Sequence, residues 1–283
     1  MIEAPMADAD AWVRHFSAQK LPVLRHTRQQ LSEAAARMDE APGREITRIA
    51  LRDPLLAAQV LRCIQPMAGR RLHHEVASMT GSIMMLGVGP FFRYFLDLPT
   101  LEDQLKAAPQ ALLGAVQVIR RAQRAAHYAH EWALWRKDIN VEEVALAALL
   151  HDLTEILLYA FAPKLALALR DRQQAEPTPR GVDAQEDVLG LRILAIQDAL
   201  YRAWNMPAFL RALIDEEQAD RPRVKNVMLA VALARRLAHG EQDPALADDL
   251  KEIAQLLNLS ESALNDRLGL KTATPQAAET RNS

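Results

Sequence analysis

The chain has 283 residues, 50% of them hydrophobic and 25% charged, with a formal net charge of -2 at pH 7. This composition excludes wholesale disorder, and the length suffices for one large core or two modest ones. The charge balance gives no global basic excess for nucleic acid, and the single cysteine, Cys63, excludes an intrachain disulfide or a cysteine-rich zinc site.

Low glycine and abundant Ala, Leu, Arg and Glu favour helices over sheets. Residues 1–10 are acidic and carry no apolar run, so no signal peptide is expected there. Residues 8–17 read as a short helix with Trp12, Val13 and Phe16 on one face, broken at Leu21-Pro22. A helix over 23–38 follows, then another over 44–51. Asp53-Pro54 is a strong start signal, because Asp caps and Pro suits a first turn. The helix behind it is expected to stop at Gln65-Pro66. Cys63 lies on its apolar face, where a thiol is inert. A basic connection with Arg70, Arg71, His73 and His74 leads to helices over 78–86 and 91–98, and residues 99–109 read as a polar loop.

A long helix is predicted over 111–135. Asn140 with Glu143 reads as a capping box for the next helix, which runs over 141–151 and on toward Phe161. Further helices are expected over 164–172, 189–201, 208–217 and 222–238, then a helical hairpin over 244–257 and 260–268. Residues 271–283 are polar and read as a disordered tail. No run of about 18 uncharged apolar residues is present, so no membrane insertion is expected.

The sharpest chemical feature is His151-Asp152 at the end of an apolar helix. Imidazole and carboxylate together suit a divalent metal, but a dipeptide needs further ligands, and a hydrogen-bonded His at a helix end explains the same residues. His127 and His130 share a helix face with no carboxylate or Cys to complete a set. The cluster Arg70, Arg71, His73 and His74 is a candidate anion or partner site, or a solvated basic loop. No Gly-x-Ser-x-Gly elbow and no phosphate-binding loop occurs. The hairpin over 256–268 carries Glu261 and Asp266 with little positive charge, which argues against DNA binding.

Several pieces taken in order resemble the HDOD domain, a relative of the HD metal-dependent phosphohydrolases used in bacterial signalling. They are Leu21-Pro22, Asp53-Pro54-Leu55 with Val60-Leu61-Arg62, Ser82-Ile83, Leu86-Gly87, Ala148-Leu149-Leu150-His151-Asp152, Trp204-Asn205-Met206-Pro207 and Leu233-Ala234. The resemblance runs over 21–239. Departures occur at Gln65-Pro66, where the family usually has Asn-Ser, at Thr154, where it has Gly, and at Asp215-Glu216-Glu217, where many members have a His pair. In the HD hydrolases the metal is held by an earlier His, the His-Asp pair and a later Asp. The resemblance puts the earlier position near Arg121, with His127 the alternative, and the later one on Arg235. Guanidiniums repel a cation and have no lone pair to give it.

The resemblance therefore implies an all-α protein of two packed helical lobes, an N-terminal lobe over 1–105 and a degenerate HD-like lobe over 106–240. A helical extension over 241–270 and the tail over 271–283 complete the chain. It implies a non-catalytic, cytoplasmic regulatory module with no cofactor, whose relict pocket is His151, Asp152, Arg121 and Arg235. The expected partner is a protein of a signalling pathway or an anionic small ligand, and not a nucleic acid. The alternative is a metal-dependent phosphohydrolase acting on a nucleotide or cyclic dinucleotide, with His151, Asp152 and His127 as ligands.

Overall fold

The computed structural model describes residues 2–37, 43–71, 78–175, 182–240, 243 and 245–270. Among them the protein is all helical and contains no strand. Helix α1 (Ala9–Ala18) starts at Asp8, whose carboxylate accepts from the Ala11 N–H at 2.7 Å, and buries Trp12, Val13 and Phe16. Helix α2 (Arg25–Ala35) begins later than the apolar spacing predicts. The cause is a single parallel bridge: the Val23 N–H donates to the Pro99 carbonyl, and the Val23 carbonyl accepts from Leu101. Helix α3 (Gly43–Ala50) leads into Asp53.

Asp53 does more than cap. It is fully buried and accepts from the N–H groups of Leu24, Leu55 and Leu56 at 2.8, 3.0 and 3.2 Å. One carboxylate thus starts α4 (Pro54–Arg71) and fixes the entry of α2. Burial pushes its pKa up. Helix α4 continues through Gln65-Pro66, where a stop is expected from sequence; Pro66 lies on its exposed face. Ser78 caps α5 (Met79–Leu86). Gly87, at φ 82°, turns the chain into α6 (Val88–Phe95), which buries Phe91, Phe92 and Phe95. The expected polar loop contains one helical turn, α7 (Leu101–Gln104), capped by Thr100.

Helix α8 (Pro109–Trp135) is the axis of the second half. Against it pack α9 (Val141–Leu150), α10 (Leu153–Phe161), α11 (Pro163–Ala175) and α15 (Pro222–His239). The chain between α11 and α15 forms α12 (Val182–Leu189), α13 (Ile193–Ala203) and α14 (Ala208–Leu213). The predicted capping box at Asn140 does not form: the Asn140 side chain makes no cap bond, and Glu143 pairs with Arg223 at 2.8 Å instead. Taken together, Val141–Phe161 is long and apolar enough to cross a membrane, yet most of it is buried in protein and it breaks into two helices at His151-Asp152.

The buried side chains form one continuous cluster from Trp12 to Leu264. A polar latch reinforces it where α1 meets α13. The Trp204 indole N–H donates to the Ser17 hydroxyl at 2.8 Å, and Arg62 donates to the Ser17 carbonyl at 2.7 Å while lying 4.9 Å from the Trp204 ring. The Trp204-Asn205-Met206-Pro207 stretch is therefore a structural turn, with Asn205 at φ 49°, a conformation Asn tolerates. Past the turn, α16 (Leu246–Leu257) and α17 (Glu261–Leu268) fold back on the bundle. Arg236 binds Asp243 and Asp249, Lys225 binds Glu252, and Arg267 stacks on Trp135 at 4.6 Å. Residues 271–283, read from sequence as a tail, lie outside the described residues.

Helices α8 and α10 approach closely at one point. Gly114 faces Tyr159, and a Cβ at Gly114 would stand 2.4 Å from the tyrosine ring. Gly114→Ala should therefore lower the melting temperature despite the helix preference for Ala, with an overpacking cost of about 1–3 kcal/mol. Adding Tyr159→Leu should return part of the loss in the same thermal melt.

Candidate functional site

The break between α9 and α10 creates the site. Leu149 and Leu150 are buried, so the chain carries His151 and Asp152 into the interior. The carbonyls and N–H groups freed by the break need partners there. Gln197 of α13 supplies two: its amide N–H donates to the His151 carbonyl at 2.6 Å, and its side-chain oxygen accepts from the Thr154 N–H at 3.2 Å. The Tyr201 hydroxyl donates to the Leu150 carbonyl at 2.8 Å. Its phenol is pushed up by burial and then by the Asp152 charge.

Asp152 is the centre of charge. Its side chain is 7% exposed. Arg121 of α8 donates to the same carboxylate oxygen, Oδ2, from Nε at 2.9 Å and from Nη2 at 2.7 Å. Arg121 Nη2 also reaches Glu155 at 2.6 Å, one turn further along α10. The other oxygen, Oδ1, meets His151 Nδ1 at 2.8 Å and Arg235 Nη2 of α15 at 3.3 Å. Burial works against both charges. The Arg121 and Arg235 guanidiniums and the His151 hydrogen bond overcome it and hold the Asp152 carboxyl well below the usual carboxylate range. In turn Asp152 and Glu155 raise the Arg121 pKa despite its own burial. Above the pair, burial and the nearby Glu155 push the Tyr159 phenol up to about 12.

His151, Asp152, Arg121 and Arg235 thus come together as one cluster. The two arginines differ in rank, however. The family resemblance places a guanidinium at both former ligand positions. The structure gives the buried contact to Arg121, 14% exposed, whereas the Arg235 side chain is 47% exposed and touches Asp152 from outside. His127 does not join: it is exposed on α8, six residues beyond Arg121 and about 240° further round the helix. The side chains of Arg70 and Arg71, and His73 and His74 altogether, lie outside the described residues. Glu155, Gln197 and Tyr201 were not singled out by sequence. Their signals were a second carboxylate one turn after Asp152 and polar groups on the apolar face of α13.

A divalent metal does not fit this arrangement. Every near contact to the Asp152 oxygens other than His151 is a guanidinium, a donor with no lone pair. Among the described residues no three His, Cys, Asp or Glu side chains group to hold an ion. Cys63 offers nothing either, since burial pushes its thiol pKa up.

The HDOD domain model matches residues 21–219 of the chain. No curated protein matches it. Among solved structures, it is similar to the MmoQ response regulator of Methylococcus capsulatus str. Bath, with a TM-score of 0.63 and 17% identity over 85% of this chain and 98% of that one. It is likewise similar to a virulence factor of Campylobacter jejuni subsp. jejuni, with a TM-score of 0.66 and 18% identity over 95% and 94%. At those identities the likeness is one of fold.

The unequal burial of the arginines sets the stability outcome. Arg121→Ala removes the buried cation of Asp152, leaves it only His151 and the half-exposed Arg235, and should cost about 3–5 kcal/mol in denaturant unfolding. Arg235→Ala should cost less than about 1 kcal/mol, because its head is solvated. Arg121→Met with Asp152→Asn should recover much of the loss.

A pH prediction follows from Asp152. Its folded pKa lies below its unfolded value, so its pairing stabilises the fold above about pH 4 and is lost as the pH falls below that. Asp53, with a raised pKa, contributes in the opposite direction. Melting curves taken from about pH 5 down to 2 should therefore fall more steeply for the wild type than for Asp152→Asn.

Proposed function

The chain belongs to the HDOD domain family, and we propose that within it this protein is a non-catalytic regulatory module that works by binding a protein partner or an anionic small ligand. The observation that carries this reading is the Arg121–Asp152 pair at 2.7 Å. In the related phosphohydrolases, as the family resemblance implies, an aspartate at this place serves a metal. Here a guanidinium supplies the positive charge from within the chain. A built-in cation satisfies Asp152 electrostatically but cannot carry or activate a water, so the cluster does structural work.

The position of the cluster supports the same reading. It ties α8, α10 and α15 together at their common crossing, so it sets the relative placement of the helices that present the outer surface. Asp152 and Arg121 are nearly closed to solvent, which leaves little room for a substrate to approach them. Regulation through this protein then rests on its exterior.

Purified protein supplied with manganese should hydrolyse neither a model phosphodiester nor a cyclic dinucleotide, measured by product release. Turnover that disappears in Asp152→Asn would overturn the reading.

A further inference from the structure

Helix α8 turns one strip to solvent along its length. Leu113, Arg120, Arg124, His127 and Leu134 recur on it at steps that keep them on one face, and all are exposed. Leu113 and Leu134 are 57% and 48% exposed, large apolar side chains standing in water at the two ends. Over the rise of a helix they lie about 32 Å apart. Between them Arg120 and Arg124 form no salt bridge with any described residue. More positive charge stands on both flanks at the same level. On one side is the exposed Arg52, whose carbonyl accepts from the Gln123 side chain of α8. On the other is Arg235, with its partly exposed guanidinium held at Asp152. The strip is therefore cationic in its middle and apolar at its ends, with the partly exposed Glu131 between His127 and Leu134, in a chain whose net charge is negative.

That pattern selects an occupant. Residues recurring every three and four along a helix are the ones a second helix packs on. A second copy of this chain fits badly. Laid antiparallel, Arg120 would face His127 and the two Arg124 side chains would meet near the centre; laid parallel, each cation would face itself. A phosphate backbone would use the arginines and leave both leucines without a role. The rings at the strip are already engaged: His127 lies against Tyr128, Tyr128 stacks on Trp132, and Trp135 is covered by Arg267, so no open aromatic platform is offered to a base. We propose that the exposed face of α8 docks an acidic amphipathic helix of a partner protein, with carboxylates opposite Arg120 and Arg124 and aliphatic side chains opposite Leu113 and Leu134. The inference rests on the partner-binding reading above and gives it a location and a chemistry.

The test uses the full chain and a synthetic capped helical peptide of about 21 residues, the length of the strip. The peptide carries Leu near both ends and Glu at the central positions, and binding is read by fluorescence anisotropy. A control peptide has the same composition with Leu moved to the centre and Glu to the ends. The patterned peptide should bind roughly tenfold more tightly than the control, and its binding should weaken as salt rises, because the central contacts are solvated ion pairs. Arg120→Glu with Arg124→Glu should remove most of that binding, and Leu113→Asp should weaken it, with unchanged thermal melts showing that both variants are folded. Arg202→Glu with Arg211→Glu, on α13 and α14, should leave it unaltered. Equal binding of the two peptides, or no effect of the Arg120 and Arg124 changes, overturns the proposal. So does tighter binding of a duplex DNA that depends on those arginines but not on Leu113. None of these results touches the non-catalytic reading, which stands or falls on the hydrolysis measurement.

Discussion

A carboxylate sits at the centre of this bundle, at the point where an apolar helix breaks. Asp152 cannot be left there alone, because an unpaired charge in a protein interior costs several kcal/mol. Arg121 answers it from α8 with two N–H groups on one oxygen, and Arg235 and His151 take the other. Much of the second half of the molecule is arranged around that requirement. Helices α8, α10 and α15 must cross where their side chains converge, and Gln197 and Tyr201 must come from α13 to satisfy the backbone at the break. Gly114 lets α8 and α10 approach closely enough, under the Tyr159 ring, for the reach of Arg121 to suffice.

The same helix, α15, carries a second arginine with a different task. Arg235 touches the core carboxylate, while the next residue, Arg236, binds Asp243 and Asp249 ahead of and on α16. The hydrogen bond that Arg236 donates to Asp249 is the main cause of the raised Arg236 pKa, so the guanidinium stays charged and paired. The C-terminal hairpin is thus fastened to α15 beside the contact that closes the pocket, with the Arg267–Trp135 stack as a further anchor on α8. The interior cluster is nearly closed to solvent, and the strip of α8 between Leu113 and Leu134 stays exposed.

Much of this was legible beforehand. The helices expected to begin at residues 8, 78 and 260 do begin there, and Asp8, Ser78 and Ser260 each accept an N–H from the first turn. The apolar faces around Trp12, Leu61, Ile119 and Leu233 all turned inward. What misled were local signals that a long-range contact overrode. Asn140 and Glu143 form a capping box by spacing, but Arg223, distant in sequence, captures Glu143. Val23 fits a helical face, but the Pro99–Leu101 segment takes both of its backbone groups. Pro66 is a breaker by type, yet α4 continues through it, with Pro66 on its exposed face.

The sequence by itself determined most of the helices, their apolar faces and the presence of Arg121, Arg235, His151 and Asp152 in the chain. Those are properties of residue type and spacing, which short-range physics reads directly. Only the tertiary structure decided which arginine enters the interior. Arg121 and Arg235 are chemically identical, and their difference lies in where α8 and α15 place them relative to Asp152. One guanidinium is drawn under the bundle surface at 14% exposure, and the other is left near it at 47%. The packing of the helices alone also turned Arg120 and Arg124 outward, unpaired, into the open face between Leu113 and Leu134. For charged side chains such as these, burial and exposure are set by neighbours far apart in the chain, which the local pattern of residues does not encode.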